Sequence, residues 1–342
     1  MRKQSGFSLV ELLVAMAIFM IIGGAAFSLV RRHVPLYANQ QNQAGLNITL
    51  RNAAAQMQID VVNAGTGYYT GANIPAWPIG LTVVNNPAGS NCYDASTKTY
   101  GPACFDSFNV ISTDLGTPAS AVANTNAGTG CTNTNSSADL YLIPSGITAS
   151  ALAARFKTGD QILLVKNDGS QMTTTVLTAN GSVSGSTVKL SHNLTNADGT
   201  NTGSNDPLSI TNTADAGVLG VQYCPTDYVL KLSPITYYID ATDNTNPKLM
   251  RLQNGTSNVV AEQIIGFKVG ASLWNGSNDQ AYDFDASHYN HNWSAIRSLR
   301  ISLIGRTAAN PDGNFQNSFD GGNYKVEAVS VVVNPRNLSM ND

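Results

Sequence analysis

FSLVELLVAMAIFMIIGGAAFSLV, residues 7–30, is an apolar run of 24 residues with one charge, Glu11. A helix rises about 1.5 Å per residue, so the run covers roughly 36 Å, enough to cross a hydrocarbon core about 30 Å thick. A carboxylate inside such a segment costs about 2.5–3.5 kcal/mol on insertion scales and is a functional candidate by default. A plain anchor gains nothing from it. The group that pairs with Glu11 is therefore the first thing to find.

The polar piece ahead of the run is only MRKQSG, and the apolar stretch starts abruptly after Gly6. A secretory signal has a shorter apolar region that ends at a small-x-small cleavage site. A cut between Gly6 and Phe7 would instead make Phe7 a free N-terminus at the membrane face. Glu11 would lie one helical turn from that ammonium. The two charges could neutralise each other within one chain or between neighbouring chains, and the second case gives Glu11 a role in assembly.

This pattern, a short basic leader followed by GFSLVELLVAMAIF, resembles the class III signal of type IV pilins and type II secretion pseudopilins. The likeness runs from Lys3 and Gln4 to about Val30. It implies a leader at 1–6, cleavage after Gly6 by a prepilin peptidase, N-methylation of Phe7, and docking of Glu11 onto a neighbouring subunit's N-terminus. It also implies an inner-membrane single-pass precursor with its head outside the cytoplasm. Arg2 and Lys3 at one end and Arg31 and Arg32 at the other leave the positive-inside rule ambiguous, so orientation rests on the leader.

Composition agrees with export. Only 12% of residues are charged, and the net charge of −3 carries no basic footprint for nucleic acid. Four cysteines, Cys92, Cys104, Cys131 and Cys224, favour disulfides, and no C-x-x-C pair suggests zinc. Cys92 and Cys104 bracket a short loop with Gly101 and Pro102 and form the favoured pair. Cys131 with Cys224 would then tie the middle of the chain to the later sheet.

Beyond the run, Leu46, Leu50, Ala53, Met57 and Val61 recur at helical spacing opposite Asn39, Gln40, Gln43, Asn47, Asn52 and Gln56. One long helix over 7–63 is expected, kinked or locally opened at Pro35. Its stretch RNAAAQMQIDVVNAGTGYY, residues 51–69, resembles the helix end of minor pilins of the PilW type. Asp60, Ala64 and Gly65 match that pattern, while Val62 replaces an Arg often found there.

Residues 64–150 are rich in Gly, Pro, Asn, Thr and Ser and read as a loop-rich part of the head, with one alternating strand in ADLYLIP. FKTGDQILLVKNDG, MTTTVLTANG and STVKLSHNL then predict an inserted antiparallel β subdomain over 151–216. The final part, 217–342, predicts a β-sheet from VLGVQY, ITYYID, KLMRLQ, IIGFKVGAS, LRISLIG and VEAVSVVV. Asp243-Asn244 and Asn254-Gly255 read as hairpin turns. The order of strands and turns over 235–306 resembles the C-terminal sheet of PilW-type minor pilins and J-type pseudopilins. The expected architecture is an α+β pilin fold: a long N-terminal helix packed on an antiparallel β-sheet head, with a small β subdomain inserted.

Catalytic patterns are missing. His33, His192, His288 and His291 form no H-E-x-x-H motif, there is no P-loop or dinucleotide fingerprint, and GSVSG at 181–185 has Val183 where a nucleophile would stand. The loop from Trp274 to Trp293 holds Asp279, Asp283 and Asp285, oxygen ligands of a kind calcium takes. Their spacing does not follow the EF-hand, and a turn-rich hairpin connection is the plainer reading. Tyr282, Phe284 and Tyr289 could instead meet a partner subunit. The resemblance implies a minor pilin in a type IV pilus, at or near the tip, priming or supporting assembly beside other minor pilins and the major pilin. The alternatives are a pilus-borne adhesin, with the insertion as its binding part, and a type II secretion pseudopilin.

Overall fold

The structure, a computed structural model, describes residues 8–65, 80–85, 92–97, 99–123, 131, 139–168, 172–192, 222–285, 296–310 and 315–335. Helix α1 spans Leu9–Val62 and continues unbroken through Pro35, so the expected opening there does not occur. Ser8 caps it, with Oγ accepting from the Glu11 N–H. Its second half buries Leu46, Leu50, Ala53, Met57 and Val61, the face the spacing predicts. Each large side chain so buried contributes roughly 1.5–3 kcal/mol. The helix lies very close to the sheet at Gly305. A Cβ there would sit 2.9 Å from Leu46 Cδ1 and 3.1 Å from Leu50 Cδ2.

The part expected to be irregular holds six short strands: β1 (Leu81–Val84), β2 (Tyr93–Asp94), β3 (Thr99–Tyr100), β4 (Ser107–Thr113), β5 (Ser120–Val122) and β6 (Asp139–Ile143). β6 is the alternating strand expected in ADLYLIP, whereas β1, β2, β3 and β5 are too short to show a sustained period of two. After the short helix α2 (Ala149–Ala153) come β7 (Gln161–Val165), β8 (Met172–Val176), β9 (Ser182–Ser184) and β10 (Thr187–Ser191). The last third supplies β11 (Tyr228–Asp240), β12 (Lys248–Gln253), β13 (Thr256–Glu262), β14 (Ile264–Leu273), β15 (Ile296–Arg306) and β16 (Val326–Val333). All the named pairings are antiparallel. The fold is α+β, a long N-terminal helix followed by an antiparallel β-sheet head.

Strand β11 organises the head. Its later half, Ile235–Asp240, pairs with β12, and β4 runs along its opposite edge, from Tyr237↔Phe108 to Leu232↔Thr113. Its earlier half, Tyr228–Lys231, pairs with β7, and Tyr228 and Val229 also pair with β5. One continuous strand thus belongs to two arrays. The first is β1-β4-β11-β12-β13; the second is β8-β7-β11-β5-β6-β10-β9. The inserted strands of 151–216 therefore form no sheet of their own. β10 pairs with β6 before them, and β7 with β11 after them.

Two cores follow. One joins α1 to β1, β4, β12 and the three-stranded sheet β14-β15-β16, with Phe108 stacked on Tyr237 at 5.1 Å. The other joins the inserted part to β5, β6 and β11, around Leu140, Leu152, Phe156, Leu164, Leu190 and Tyr223. Ile111, Leu163, Val165, Leu230 and Leu232 make a smaller cluster at the junction. The Asn254-Gly255 turn between β12 and β13 has φ of 51° and 74°. Both central residues are left-handed, as the tightest hairpins require. Of the expected strand VLGVQY, residues 218–221 lie outside the described residues, and Gln222 and Tyr223 are not in a strand.

Candidate functional site: the N-terminal helix and its seat on the head

Gly6 and Phe7 lie outside the described residues. Glu11 closes a reciprocal cap: its Oε2 accepts the Ser8 N–H at 2.9 Å, while Ser8 Oγ accepts the Glu11 N–H at 3.2 Å. The carboxylate thus reaches back toward the start of the helix, the side on which an N-terminus at Phe7 would lie. Acid at a helix N-terminus also meets the positive end of the macrodipole. Around it the helix is bare. Leu9 is 77% exposed, Phe19 76% and Ile21 73%. Large apolar side chains so exposed along a whole helix mark a surface made for lipid or for other subunits. The helix is long and apolar enough to cross a membrane, and its most apolar window buries nothing inside the chain.

Residues 1–27 match the prokaryotic N-terminal methylation motif. The chain carries a type IV pilin or pseudopilin signal. No curated protein and no solved structure matched the chain. The pilin signal implies processing by a prepilin peptidase and assembly with other pilins, and with the bare helix it fits a precursor anchored in the inner membrane. Mass spectrometry of protein extracted from membranes should find N-methylated Phe7 as the first residue. An intact Met1 in peptidase-positive cells would overturn this.

Helix α1 is fastened to its head by polar groups as well as by its apolar face. Asn39 Nδ2 donates to Asn310 Oδ1 at 2.8 Å. Gln43 donates to Glu327 at 2.5 Å and accepts from Lys325 at 2.8 Å. Near the helix end, Asp60 takes Arg251 Nε at 2.8 Å and the Tyr237 hydroxyl at 2.5 Å on one oxygen, and Arg251 Nη2 at 3.3 Å on the other. Burial and then Asp60 push the Tyr237 phenol pKa up, so it stays a donor. Sequence reading marked Asp60 but not its partners. Arg251 and Tyr237 lie far along the chain in alternating strands, and only the β11–β12 register, which sets Tyr237 opposite Arg251, brings them together.

Cys92 is bonded to Cys104 and Cys131 to Cys224, and no free cysteine is found among the described residues. Beside the first disulfide, the hydroxyls of Tyr100 and Tyr324 both donate to Asp320 Oδ2, and Tyr93 donates to its backbone oxygen at 3.2 Å. Burial raises the Asp320 pKa, but Tyr100 and Tyr324, with Gly322 and Asn317, outweigh it and hold the carboxyl below its ordinary value. The β2–β3 hairpin is thereby docked on the segment leading into β16.

The acids considered for calcium are not gathered. Asp283 Oδ1 accepts the Asp285 N–H at 2.9 Å, while Asp279 makes a bridge to Trp274 and Asp283 one to Ala271. No group of three or more His, Cys, Asp or Glu converges as a metal site among the described residues. Instead Arg300 lies over the Tyr282 ring at 4.5 Å and Arg297 over Trp274 at 5.1 Å, which ties this loop to β15. His33 is exposed on α1, His192 is buried, and His288, His291 and Tyr289 lie outside the described residues.

Proposed function

We propose that the chain is a minor pilin of the PilW type. It sits at or near the tip of an extracellular type IV pilus and primes or supports assembly as a structural subunit, beside other minor pilins and the major pilin. The observation that carries this reading is where the insertion stands. Tyr237 is level with Asp60, and Ile111, the partner of Pro234, accepts the Gly65 N–H at 2.8 Å just past the helix end. From there β11 continues backward through Tyr228 at about 3.4 Å per residue, roughly 20 Å further. The strands of the insertion are built on that extension. They stand beyond the end of α1, away from the anchor, where a subunit stacked above would need room. A head enlarged in that direction suits a position with no subunit above it.

Deleting the gene should sharply reduce surface pili while the major pilin persists in the membrane pool. Immunogold labelling should find few copies, concentrated at filament ends. Uniform labelling of the shaft at the stoichiometry of the major subunit would rule out the tip. A second reading, a pilus-borne adhesin, is favoured by the separate core that the insertion builds with β5, β6 and β11. It predicts normal piliation with lost attachment. A type II secretion pseudopilin shares the same N-terminal signal, and loss of secretion with intact pili would select it.

A further inference from the structure

The two arrays that share β11 leave a notch. On one edge of β11, β7 stops at Ile162↔Lys231 and β12 begins at Gln253↔Ile235. Among the described residues, Leu232, Ser233 and Pro234 have no strand partner on that edge. β4 and β5 follow the opposite edge, at Leu232↔Thr113 and Val229↔Ser120. The gap opens into a cleft of about 680 Å³, walled by residues 157–161 of the insertion and by the Asn254-Gly255 turn of the head. That size lies within the ~300–1,000 Å³ of ligand pockets, which favour junctions between structural units.

We infer that this notch is a binding site for a neutral oligosaccharide, formed jointly by the head and the insertion. Both aspartates of the cleft face one lysine. Lys231 Nζ lies 2.7 Å from Asp160 Oδ2 and 3.9 Å from Asp114, and donates to the Arg155 carbonyl at 2.7 Å. Lys157 adds a second positive side chain, so the lining carries two positive and two negative side chains. An ionic ligand gains little net attraction from such a balanced set.

Uncharged groups are at hand for recognition: the Ser233 hydroxyl and the Gln161 and Asn254 amides, while the Thr158 hydroxyl already donates to Asn180 Oδ1 at 3.3 Å. Gln161 Oε1 is buried with no hydrogen-bond partner among the described residues. A buried acceptor left unpaired costs about 1–3 kcal/mol, and a turn of the Gln161 side chain that brings Oε1 to a ligand hydroxyl would relieve it. Leu252 and Pro234 add an apolar strip that suits the C–H face of a sugar ring. An added peptide strand does not fit, because β7 and β12 block both ends of a gap only three residues long.

The site does not depend on where in the filament the chain sits, so it is tested on the purified full chain in detergent micelles. Saturation-transfer NMR with lactose, maltose and N,N′-diacetylchitobiose, and with sialyllactose and tetra-alanine as the charged and peptide comparisons, reads binding directly. At least one neutral disaccharide should bind. Gln161→Leu should weaken it about tenfold or more while the melting temperature stays level or rises, because the orphaned acceptor is gone. Ser233→Ala, a smaller change, should weaken the same sugar with no loss of stability. Three results would each overturn the site: no neutral sugar binds, binding survives both variants, or sialyllactose or tetra-alanine binds more tightly than every neutral sugar.

Discussion

Arg251→Ala should destabilise the head by about 3–5 kcal/mol, the usual cost of removing one partner of a largely buried ion pair. The side chains of Arg251 and Asp60 are only 16% and 14% exposed. Without the guanidinium, Asp60 keeps one neutral donor, the Tyr237 hydroxyl, against a full negative charge. The damage falls where it matters, because this contact joins the last turns of α1 to the central strands of the head. Arg251→Lys should recover only part of the loss, since an ammonium cannot hold both Asp60 oxygens from one planar group. The double variant Asp60→Asn/Arg251→Met should be more stable than Arg251→Ala alone, because no buried charge is left unpaired. Thermal unfolding of the four proteins in the same detergent decides it. Equal stability of wild type and Arg251→Ala would show that the pair does not hold the helix to the head.

Glu11→Ala should insert in the membrane as well as wild type, or better, because a costly charge is removed from the apolar segment. Its recovery in sheared filaments should nonetheless fall by about tenfold or more, since each ~1.4 kcal/mol of docking energy is a factor of ten. Among the described residues Glu11 holds only the Ser8 N–H, a bond that caps the helix but does not neutralise the carboxylate. The ammonium created by processing at Phe7 would supply the missing charge in the assembled state. Glu11→Gln separates the two roles. It keeps an acceptor for the Ser8 N–H and loses the charge, so it should insert normally and assemble poorly. Wild-type recovery of both variants would show that Glu11 is not the docking charge.

The sequence by itself determined the features that repeat locally. The apolar run, its single acid and the leader ahead of it define the anchor without reference to anything distant. The spacing of Leu46, Leu50, Ala53, Met57 and Val61 identifies the buried face of α1, because a helix sets its neighbours three and four residues apart. Asn254-Gly255 announces its turn because few other residues accept left-handed backbone twice in succession. The strand VEAVSVVV coincides with β16, since a long β-branched run needs no partner to be recognised.

Tertiary structure alone decided what depends on partners far apart in the chain. Strands β1, β4 and β13 were not anticipated, and β11 extends back to Tyr228, well ahead of ITYYID. Pro234 lies where a sequence-based strand would stop, yet β11 continues through it, because that residue faces the notch on one edge and pairs with Ile111 on the other. The strands after residue 151 join the rest of the head for a similar reason. Hydrogen bonds are made across strands, and β7 found its partner in β11, more than sixty residues later in the chain. Asp60 could be marked as unusual, but nothing near it in sequence names Arg251 or Tyr237. A period is written within a few neighbouring residues, whereas register and the gaps between strands arise only when distant segments are laid side by side.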